Sequence, residues 1–419
     1  MGDMNEQQRL VPTIGWLTGG ALAVGSVLGS GVLVLPSILA QDAGPSSIIA
    51  WIFMTLLSFP IAMTLGTMAT YFPHAGGIAN FAREAFGITW GRITGWLFLG
   101  TVPLGAPVVA LVGAYYMGSI FRLADWQMTV LAASMLYLSV ILNYLGIQLA
   151  AWVQVWNVGL IGVLLVIAIL ASLPHVQLNN FVPFVPHGWL PIGQATVEIF
   201  WAFVGWEMVV HLAEEFKNPK KTIMISLLLA DIIVGLLYIT LAYVTIGTKA
   251  YQGVNSLTPL MSLLTISFGK MAANITAILA FLITFGAIHT NIAGFSRMVY
   301  AQGRSGDFPK IFAVLHPKYK TPHAALIGLA IVFTVDLMVH MGMQLPIGTM
   351  MMWPSIVFLS LYLIAMSAAI KLLPKNNLGR TMAMISLILC VIIYPFSGWI
   401  GMFPILLAGV GWIISKNTK

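Results

Sequence analysis

Apolar residues run in long, continuous stretches along this sequence, and short clusters of Pro, Gly, Asn and charged residues separate the stretches. Strands of a membrane barrel would alternate apolar and polar positions, whereas continuous runs are typical of transmembrane helices. One crossing of the bilayer needs about 20 apolar residues. The pattern predicts about twelve transmembrane helices, at residues 13–40, 46–70, 93–121, 127–143, 151–173, 192–214, 222–246, 268–301, 323–342, 346–372, 381–396 and 399–415.

The composition indicates the same class of protein. Hydrophobic residues make up 59% of the 419 residues, charged residues make up 7%, and the mean hydropathy is +0.95. A soluble domain carries about 25% charged residues, so the sequence predicts an all-α integral membrane protein whose surroundings are the lipid bilayer. The remaining loops are too short for an appended catalytic or nucleic-acid-binding domain. The single cysteine, Cys390, excludes an internal disulfide.

The basic residues fall mostly on one side of the predicted membrane helices. If the N-terminus is cytoplasmic, only Arg122, Lys249 and Lys270 of the 19 Lys and Arg residues lie outside. This asymmetry follows the positive-inside rule, so it supports the helix number and predicts cytoplasmic tails at residues 1–12 and 416–419. The net charge of +7 therefore reflects orientation in the membrane, and no nucleic-acid partner is predicted.

Two of the predicted helices contain residues that a plain membrane anchor would avoid. Gly25, Gly29 and Gly31 lie at the middle of the first segment, and Gly205 lies beside Glu207 near the middle of the sixth. Glycine is disfavoured in a helix interior by about 1 kcal/mol relative to alanine, and a carboxylate inside the membrane indicates function by default. The alternative for the first segment is a small-residue face that packs against another helix.

Two interrupted helices five segments apart are typical of transporters built from inverted repeats. On this interpretation, residues 13–173 form the first five-helix repeat, residues 192–372 form the second, and residues 381–415 add two helices, as in the LeuT fold. Each half-helix leaves N–H groups unpaired at one end and C=O groups unpaired at the other. A carboxylate and an ammonium group could bind there without a charged side chain.

Four motifs with matching spacing resemble the amino acid–polyamine–organocation superfamily of transporters. They are GSVLGSGVLVLP in the first helix, FPHAGGIANFAREAFG (72–87), FWAFVGWE…EEFKNPKK (200–221) and GRSGDFPKIFAVLHPKYKTP (303–322). Within the superfamily, RITGWLFLGTVPLGAP (92–107) and FWAFVGWEMVVHLAEEFKNP (200–219) are most similar to the bacterial exporters of methionine and branched-chain amino acids. The resemblance implies a protein of the bacterial cytoplasmic (inner) membrane.

The resemblance also implies a substrate site. The α-carboxylate would bind the N–H groups of Ser30 and Gly31 beside Gly29, and the sixth helix would be interrupted at Gly205. The carbonyl groups expected to bind the α-ammonium belong to Val27, Trp201, Ala202 and Val204. The substrate side chain would contact Thr101, Gly105, His289 and Asn291, although a lone histidine in an apolar helix is more often a packing residue. Arg83 would help to close the cytoplasmic gate.

The acidic residues inside the membrane admit two interpretations. Glu207 either bonds the backbone N–H groups freed by the break or acts as a proton-sensitive gate. Asp231 and Asp336 are expected to bond neighbouring helices or to lie near an interface, and Glu198 is expected near the outer end of its helix and less buried. The histidines show no ligand spacing with acids, so no metal and no cofactor are predicted.

The sequence therefore predicts a secondary transporter of neutral amino acids that works by alternating access and exports methionine and branched-chain amino acids. Uptake and exchange (antiport) are the alternatives within the same class. Helix 5 has no charged residue, unlike some cation-independent relatives that carry a lysine there, so proton coupling, sodium coupling and plain exchange stay open, with a coupled proton preferred. A membrane-embedded enzyme would need a cluster of catalytic polar residues at one depth; the sequence shows none, so no enzymatic activity is predicted. A channel would need a repeated polar ring.

Overall fold

The structure is a computed structural model, and it describes residues 14–72, 77–147, 151–207, 216–253 and 256–417. In these ranges the chain is helical between short turns, and the single strand-like contact is a bridge between Ile14 and Phe216. The helices are α1 (Trp16–Val27), α2 (Leu35–Ala43), α3 (Ser47–Tyr71), α4 (Gly77–Phe86), α5 (Ile88–Leu97), α6 (Val102–Phe121), α7 (Asp125–Tyr144), α8 (Ala151–Ser172), α9 (Leu190–Ile199), α10 (Pro219–Gly247), α11 (Pro259–Arg304), α12 (His323–Met343), α13 (Ile347–Leu372), α14 (Leu378–Ile393) and α15 (Met402–Asn417).

Nine helical stretches of the described chain are long and apolar enough to cross a membrane. They are Leu35–Tyr71, Ile88–Phe121, Asp125–Tyr144, Trp156–His175, Pro219–Gly247, Pro259–Arg304, His323–Met343, Ile347–Leu372 and Leu378–Ser415. The first predicted segment is not among the nine as a single helix, because it is interrupted after α1, and residues 208–214 of the sixth predicted segment lie outside the described residues. The all-helical membrane protein is confirmed, whereas the number of twelve and the inverted repeat stay predictions.

Several boundaries differ from the predicted ones, and proline or glycine accounts for each difference. The third segment divides at Thr101, after which α6 begins. Pro103 lies in the first turn of α6, where a backbone N–H has no acceptor within the helix, so proline costs no hydrogen bond there. The eighth segment begins at Pro259 and bends at Gly269, whose φ is 77°. The last two segments form one stretch that turns at Gly398, whose φ is 57°.

The long helices surround the interrupted ones. α11 packs against α6, α7 and α8, α10 packs against α1 and α3, and α13 packs against α9 and α6. Between α1 and α2 a short 3₁₀ turn, Ser30–Leu33, contacts α6, α11 and a second 3₁₀ turn, Phe200–Phe203. The packing therefore brings the first and sixth predicted segments into contact at their interruptions.

Apolar side chains also cover much of the outside of the protein. On α12 they include Ile331, Val335 and Met338, which are 55–65% exposed. A contiguous apolar surface of this kind is unfavourable in water and favourable against lipid tails. The exposed faces therefore agree with the predicted bilayer surroundings.

Candidate functional site

The first interruption lies between α1 and α2. Leu28 leaves the helix with ψ at 74°, and Gly29 is extended, with φ at −95° and ψ at −173°. Ser30 and Gly31 then begin the 3₁₀ turn, where backbone N–H groups have no acceptor within the turn itself. Both residues are buried. The geometry places two free N–H groups where the resemblance implies that a carboxylate binds.

The second interruption follows α9. After the turn Phe200–Phe203, Val204 is extended and Gly205 has φ at 129°, a conformation that favours glycine. A Cβ atom at Gly205 would lie 2.7 Å from the carbonyl carbon of Ser26 and 3.2 Å from the amide nitrogen of Val27. Glycine at this position therefore allows the second interruption to lie directly against the end of α1.

A buried tyrosine connects the two interruptions. The hydroxyl of Tyr238, on α10, lies 3.0 Å from the carbonyl oxygen of Val27 and 3.2 Å from that of Ala202. The rings of Trp51 and Phe203 pack edge-on against the Tyr238 ring, at 5.4 and 5.2 Å between centroids. Sequence reasoning missed Tyr238, although a tyrosine in the middle of an apolar helix was a signal that could have identified it. Two of the four carbonyl groups implied for the ammonium thus converge on one hydroxyl.

Glu207 bonds the second interruption to a neighbouring helix. Its Oε2 atom accepts a hydrogen bond of 3.1 Å from the N–H of Gly205 and one of 2.5 Å from the hydroxyl of Tyr362, on α13. The residue is 7% exposed. A carboxylate that accepts from a freed backbone N–H and from a tyrosine acts as a brace, so this geometry favours the structural interpretation of Glu207.

The indole of Trp201 lies between the first interruption and α6. A Cβ atom at Gly31 would lie 2.8 Å from Trp201 Cδ1, and one at Gly105 would lie 3.0 Å from Trp201 Cζ3. The space beside Gly105 is therefore filled by the indole and is not an open pocket in this conformation. Thr101 lies one turn before Gly105, and its hydroxyl donates 2.6 Å to the carbonyl of Phe98.

The two predicted pocket residues on α11 are placed differently. His289 is 2% exposed, its Nδ1 atom lies 3.2 Å from the Nδ2 atom of Asn143 on α7, and its ring stacks on Phe285. Asn291 is on an exposed face of α11. These contacts match the packing interpretation of His289, and we leave both residues out of the proposed site.

Three further intramembrane acids have distinct surroundings. Asp231 accepts a hydrogen bond from the hydroxyl of Ser58, so the expected bond to a neighbouring helix is confirmed for this residue. Asp336 is half-buried on α12. The expectation that Glu198 is less buried is wrong, because it is 8% exposed. Its carboxyl group packs beside Gly348 on α13, where the absence of a side chain permits a close approach.

Arg83 belongs to an ion-pair cluster at the end of α11. Its guanidinium lies 3.0 Å from one carboxylate oxygen of Asp307, and Arg92 Nε lies 2.8 Å from the other. Asp307 is 6% exposed, and Arg92 also donates 3.3 Å to the carbonyl of Ser415 on α15. Arg83 was among the predicted residues, whereas its partner Asp307 and the second arginine on Asp307, Arg92, were not, although Asp307 lies within the quoted GRSGDFPK motif.

The described residues contain no cluster of three or more His, Cys, Asp or Glu side chains that could hold a metal ion. What the site offers is backbone N–H groups, backbone carbonyls and aromatic surface. This set suits a small zwitterion with an apolar side chain, because it pairs both charges with dipoles and needs no counter-charge.

A family model described as amino acid permease matches residues 14–415. The chain belongs to the amino acid permease family. This membership confirms the resemblance to the amino acid–polyamine–organocation superfamily.

The chain is similar to several bacterial relatives, two of which match it over nearly its full length. It is 43% identical over 405 residues to "Uncharacterized amino acid permease YecA" of Bacillus subtilis, covering 97% of this chain and 96% of the relative. It is 29% identical over 412 residues to "L-methionine/branched-chain amino acid exporter YjeH" of Escherichia coli, again covering 97% and 96%. "Serine/threonine exchanger SteT" of Bacillus subtilis is 23% identical over 348 residues, which cover 78% and 77%.

Proposed function

We propose that this amino acid permease is a secondary active transporter of neutral L-amino acids and works by alternating access. We further propose that it exports methionine and branched-chain amino acids across the bacterial cytoplasmic membrane. The first proposal rests on one arrangement, the contact between the two helix interruptions. The second rests on the similarity to the Escherichia coli relative, which is named as an exporter of methionine and branched-chain amino acids.

The convergence of backbone groups supports a zwitterionic substrate. The N–H groups of Ser30 and Gly31 would bind the carboxylate, and the carbonyls of Val27 and Ala202, together with those of Trp201 and Val204, would bind the ammonium. Gly205 makes this convergence possible. The residues named for substrate contact include no charged side chain, and Glu207 is engaged with Gly205 and Tyr362. Side chains that carry a charge would therefore lack a partner, which favours neutral amino acids.

The position of Trp201 supports an apolar substrate side chain. Its indole lies on Gly105 and contacts Phe358 edge-on, at 6.2 Å between ring centroids. A movement of this indole would open a space lined by aromatic carbon and by the Gly105 backbone. Methionine, leucine and isoleucine fit a space of that chemistry because they bury apolar surface without an unpaired polar group.

Alternating access requires that each side of the site opens in turn. The Arg83–Asp307–Arg92 cluster joins α4 and α5 to the segment after α11 and to α15. Opening on the side that the charge pattern predicts to be cytoplasmic would separate these groups. The direction of net flow follows the gradients applied to such a transporter, so export and uptake are distinguished by the direction of the driving gradient.

Counterflow in proteoliposomes tests the proposal. Vesicles loaded in turn with each of the twenty amino acids, at two pH values and with or without sodium, are supplied with labelled methionine or leucine. We expect exchange with methionine, leucine, isoleucine and valine, and no exchange with lysine, arginine or glutamate. Exchange restricted to a charged amino acid would contradict the proposal.

A matched pair of glycine variants shows whether the interruption carries the binding. Gly205→Ala forces a side chain toward Ser26, and we expect at least a tenfold loss of affinity, since strain of about 1–3 kcal/mol accompanies such backbone positions. Gly159→Ala, on α8 with nothing within 4 Å of the added Cβ, is the control and should bind like the parent. Equal affinity in both variants would move the site away from the interruption.

A further inference from the structure

The carboxyl group of Glu198 is enclosed where three helices, α2, α9 and α13, meet on one side of the interruptions. α9, which carries it, packs against α2, α3 and α13. Glu198 is 8% exposed, and in the part of the chain that the structure describes its Oε2 atom has no hydrogen-bond partner. A Cβ atom at Gly348, on α13, would lie 3.3 Å from this oxygen and 3.1 Å from Cγ2 of Ile38, on α2. The carboxyl group therefore fills the seam between α2, α9 and α13.

A buried carboxylate with an oxygen that no donor reaches is disfavoured relative to the neutral acid. Glu207 differs from Glu198 in this respect, because its Oε2 atom accepts from Gly205 and Tyr362. A closed seam is thus compatible with protonated Glu198, whereas an open and hydrated seam accommodates the carboxylate. On this argument Glu198 is an acid whose charge depends on the conformation of the seam.

The charged surroundings of Glu198 reinforce the preference for its neutral form. From α2, Asp42 places a negative charge close enough to interact with it, and His187 lies against the Asp42 carbonyl, at 2.9 Å from Nδ1. α3 carries no charged residue, and Tyr362 on α13 is bonded to Glu207. The other titratable groups on these elements and on the neighbouring α14 and Tyr394–Gly401 turn are Tyr71, which accepts from Asn377, Tyr394, which donates to the Gly401 carbonyl, Cys390, Lys371, which lies over Phe86, and Arg380, which lies near Leu373.

A cavity of about 620 Å³ lies next to this end of α2, and Gln41, Gly44 and His187 are among the residues that line it. By the charge pattern, which puts Lys249 outside, this cavity faces the outer solution. Gln41 and His187 of this lining adjoin Asp42, so the cavity brings the outer solution to the end of α2 that lies beside Glu198.

We propose that Glu198 is a proton-binding site of the outer gate and that the seam between α2, α9 and α13 closes only around its protonated form. This inference rests on the proposed transport function for its role in the cycle, but not for its test. A raised external pH would remove the proton and favour an open outer side, whereas a lowered pH would hold the outer side closed.

Cysteine accessibility tests the proposal without any substrate. Ile38→Cys puts a thiol in the seam, where the native Ile38 is 7% exposed. Gln252→Cys puts a thiol on an exposed loop that lines the cavity. The single native cysteine, Cys390, is buried and gives the background. Labelling by a membrane-impermeant maleimide is expressed as the ratio of the Ile38→Cys rate to the Gln252→Cys rate, which removes the pH dependence of reactivity that the two thiols share.

We expect this ratio to rise about tenfold as the external pH is raised through the titration of Glu198. The proton is the ligand here, and it shifts the equilibrium between the closed and the open seam by the ratio of its affinities for these two states. With Glu198→Gln the ratio should stay low at every pH, and with Glu198→Asp it should remain pH-dependent. Glu84→Gln, an exposed acid on α4, is the matched control and should behave like the parent.

A ratio that is constant with pH in the parent would overturn the proposal, and so would a pH-dependent ratio in Glu198→Gln. If Glu198→Gln fails to fold, the parent and the Glu198→Asp variant still decide the question, because both must then show the pH dependence. Failure of methionine and leucine counterflow, with the labelling pattern intact, would refute the proposed substrate and leave the proton site standing.

Discussion

The hydroxyl of Tyr238 lies 3.0 Å from the carbonyl oxygen of Val27, and both residues are buried at the end of α1. The same hydroxyl is 3.2 Å from the carbonyl of Ala202, but its single hydrogen serves one acceptor at a time. An ammonium group carries three donors and could satisfy both carbonyls. Tyr238 thus gives one hydrogen-bond donor to the two carbonyls, and the ammonium group of a bound amino acid would give them a second.

Replacing Tyr238 by phenylalanine should make the empty protein depend on its substrate. We expect Tyr238→Phe to lose about 1–3 kcal/mol of stability without substrate, because buried carbonyls are left unbonded. Methionine should then raise the melting temperature of the variant more than that of the parent, since its ammonium supplies donors. Thermal unfolding with and without methionine measures both effects.

Tyr243→Phe is the control for this experiment, because Tyr243 lies on the same helix and its ring stacks on Phe181. It should leave the response to methionine unchanged. Equal responses to methionine in Tyr238→Phe and the parent would mean that the substrate ammonium does not reach these carbonyls.

The contact between Gly105 and Trp201 should determine substrate size. Gly105→Leu would push the indole away from α6 or into the site, so we expect methionine and leucine to be disfavoured relative to alanine by about 10- to 200-fold, or about 1–3 kcal/mol. Trp201→Phe replaces the two-ring indole by a single ring. The double variant Trp201→Phe with Gly105→Ala should therefore transport methionine better than the Gly105→Ala variant alone. Competition between labelled alanine and unlabelled methionine gives the ratios, and a uniform loss for all substrates would indicate a folding defect instead.

Glu207 should behave as a brace in mutagenesis. Glu207→Gln keeps the size of the side chain but removes its charge, and hydrogen bonds to charged groups contribute about 1.5–3 kcal/mol each. We expect a lower unfolding temperature, a non-additive effect with Tyr362→Phe, and an unchanged pH profile of exchange. A flattened pH profile with parental stability would assign the proton-sensitive role to Glu207 after all.

The two arginines bound to Asp307 should differ in their contribution to stability. The Arg83 side chain is 44% exposed and that of Arg92 is 17% exposed, and Arg92 also bonds the carbonyl of Ser415. Exposed ion pairs contribute about 0–1 kcal/mol, whereas less exposed pairs are screened less by salt. We expect Arg92→Gln to lower the unfolding temperature more than Arg83→Gln, with the smaller effect of Arg83→Gln disappearing at high salt. The reverse order would contradict the cluster geometry.

Much of the fold could be predicted from the sequence because the bilayer imposes local rules. The length of an apolar run, the excess of Lys and Arg in alternate loops, and a glycine cluster inside an apolar run are properties of short segments. They were sufficient to predict helices close to α3, α7, α10, α12 and α13 and an interruption beside Gly29. Starts of helices were less predictable where proline replaced a capping signal, as at Pro259.

Burial and hydrogen-bond partners could not be predicted in the same way. Glu198 and Glu207 are both acids in the sixth segment, nine residues apart, and the sequence offers no reason for one to accept from Tyr362 and for the other to have an oxygen without a partner. Likewise, Gly105 was expected to contact the substrate side chain, whereas the indole of Trp201, distant in sequence, lies against it. Each of these facts depends on which residues of other helices lie opposite.

The sequence by itself determined the membrane class, the approximate helices, the resemblance to the family and the two interruptions at Gly29 and Gly205, because each depends on composition or on contiguous residues. Only the tertiary structure decided that Gly205 lies against Ser26, that Tyr238 joins the carbonyls of both interruptions, and that Arg83 shares Asp307 with Arg92. The physical reason is the range of the interactions. Hydrophobic length and backbone propensity act along the chain, whereas a hydrogen bond or a steric contact acts across helices whose rotation and register are set by the packing of the whole protein.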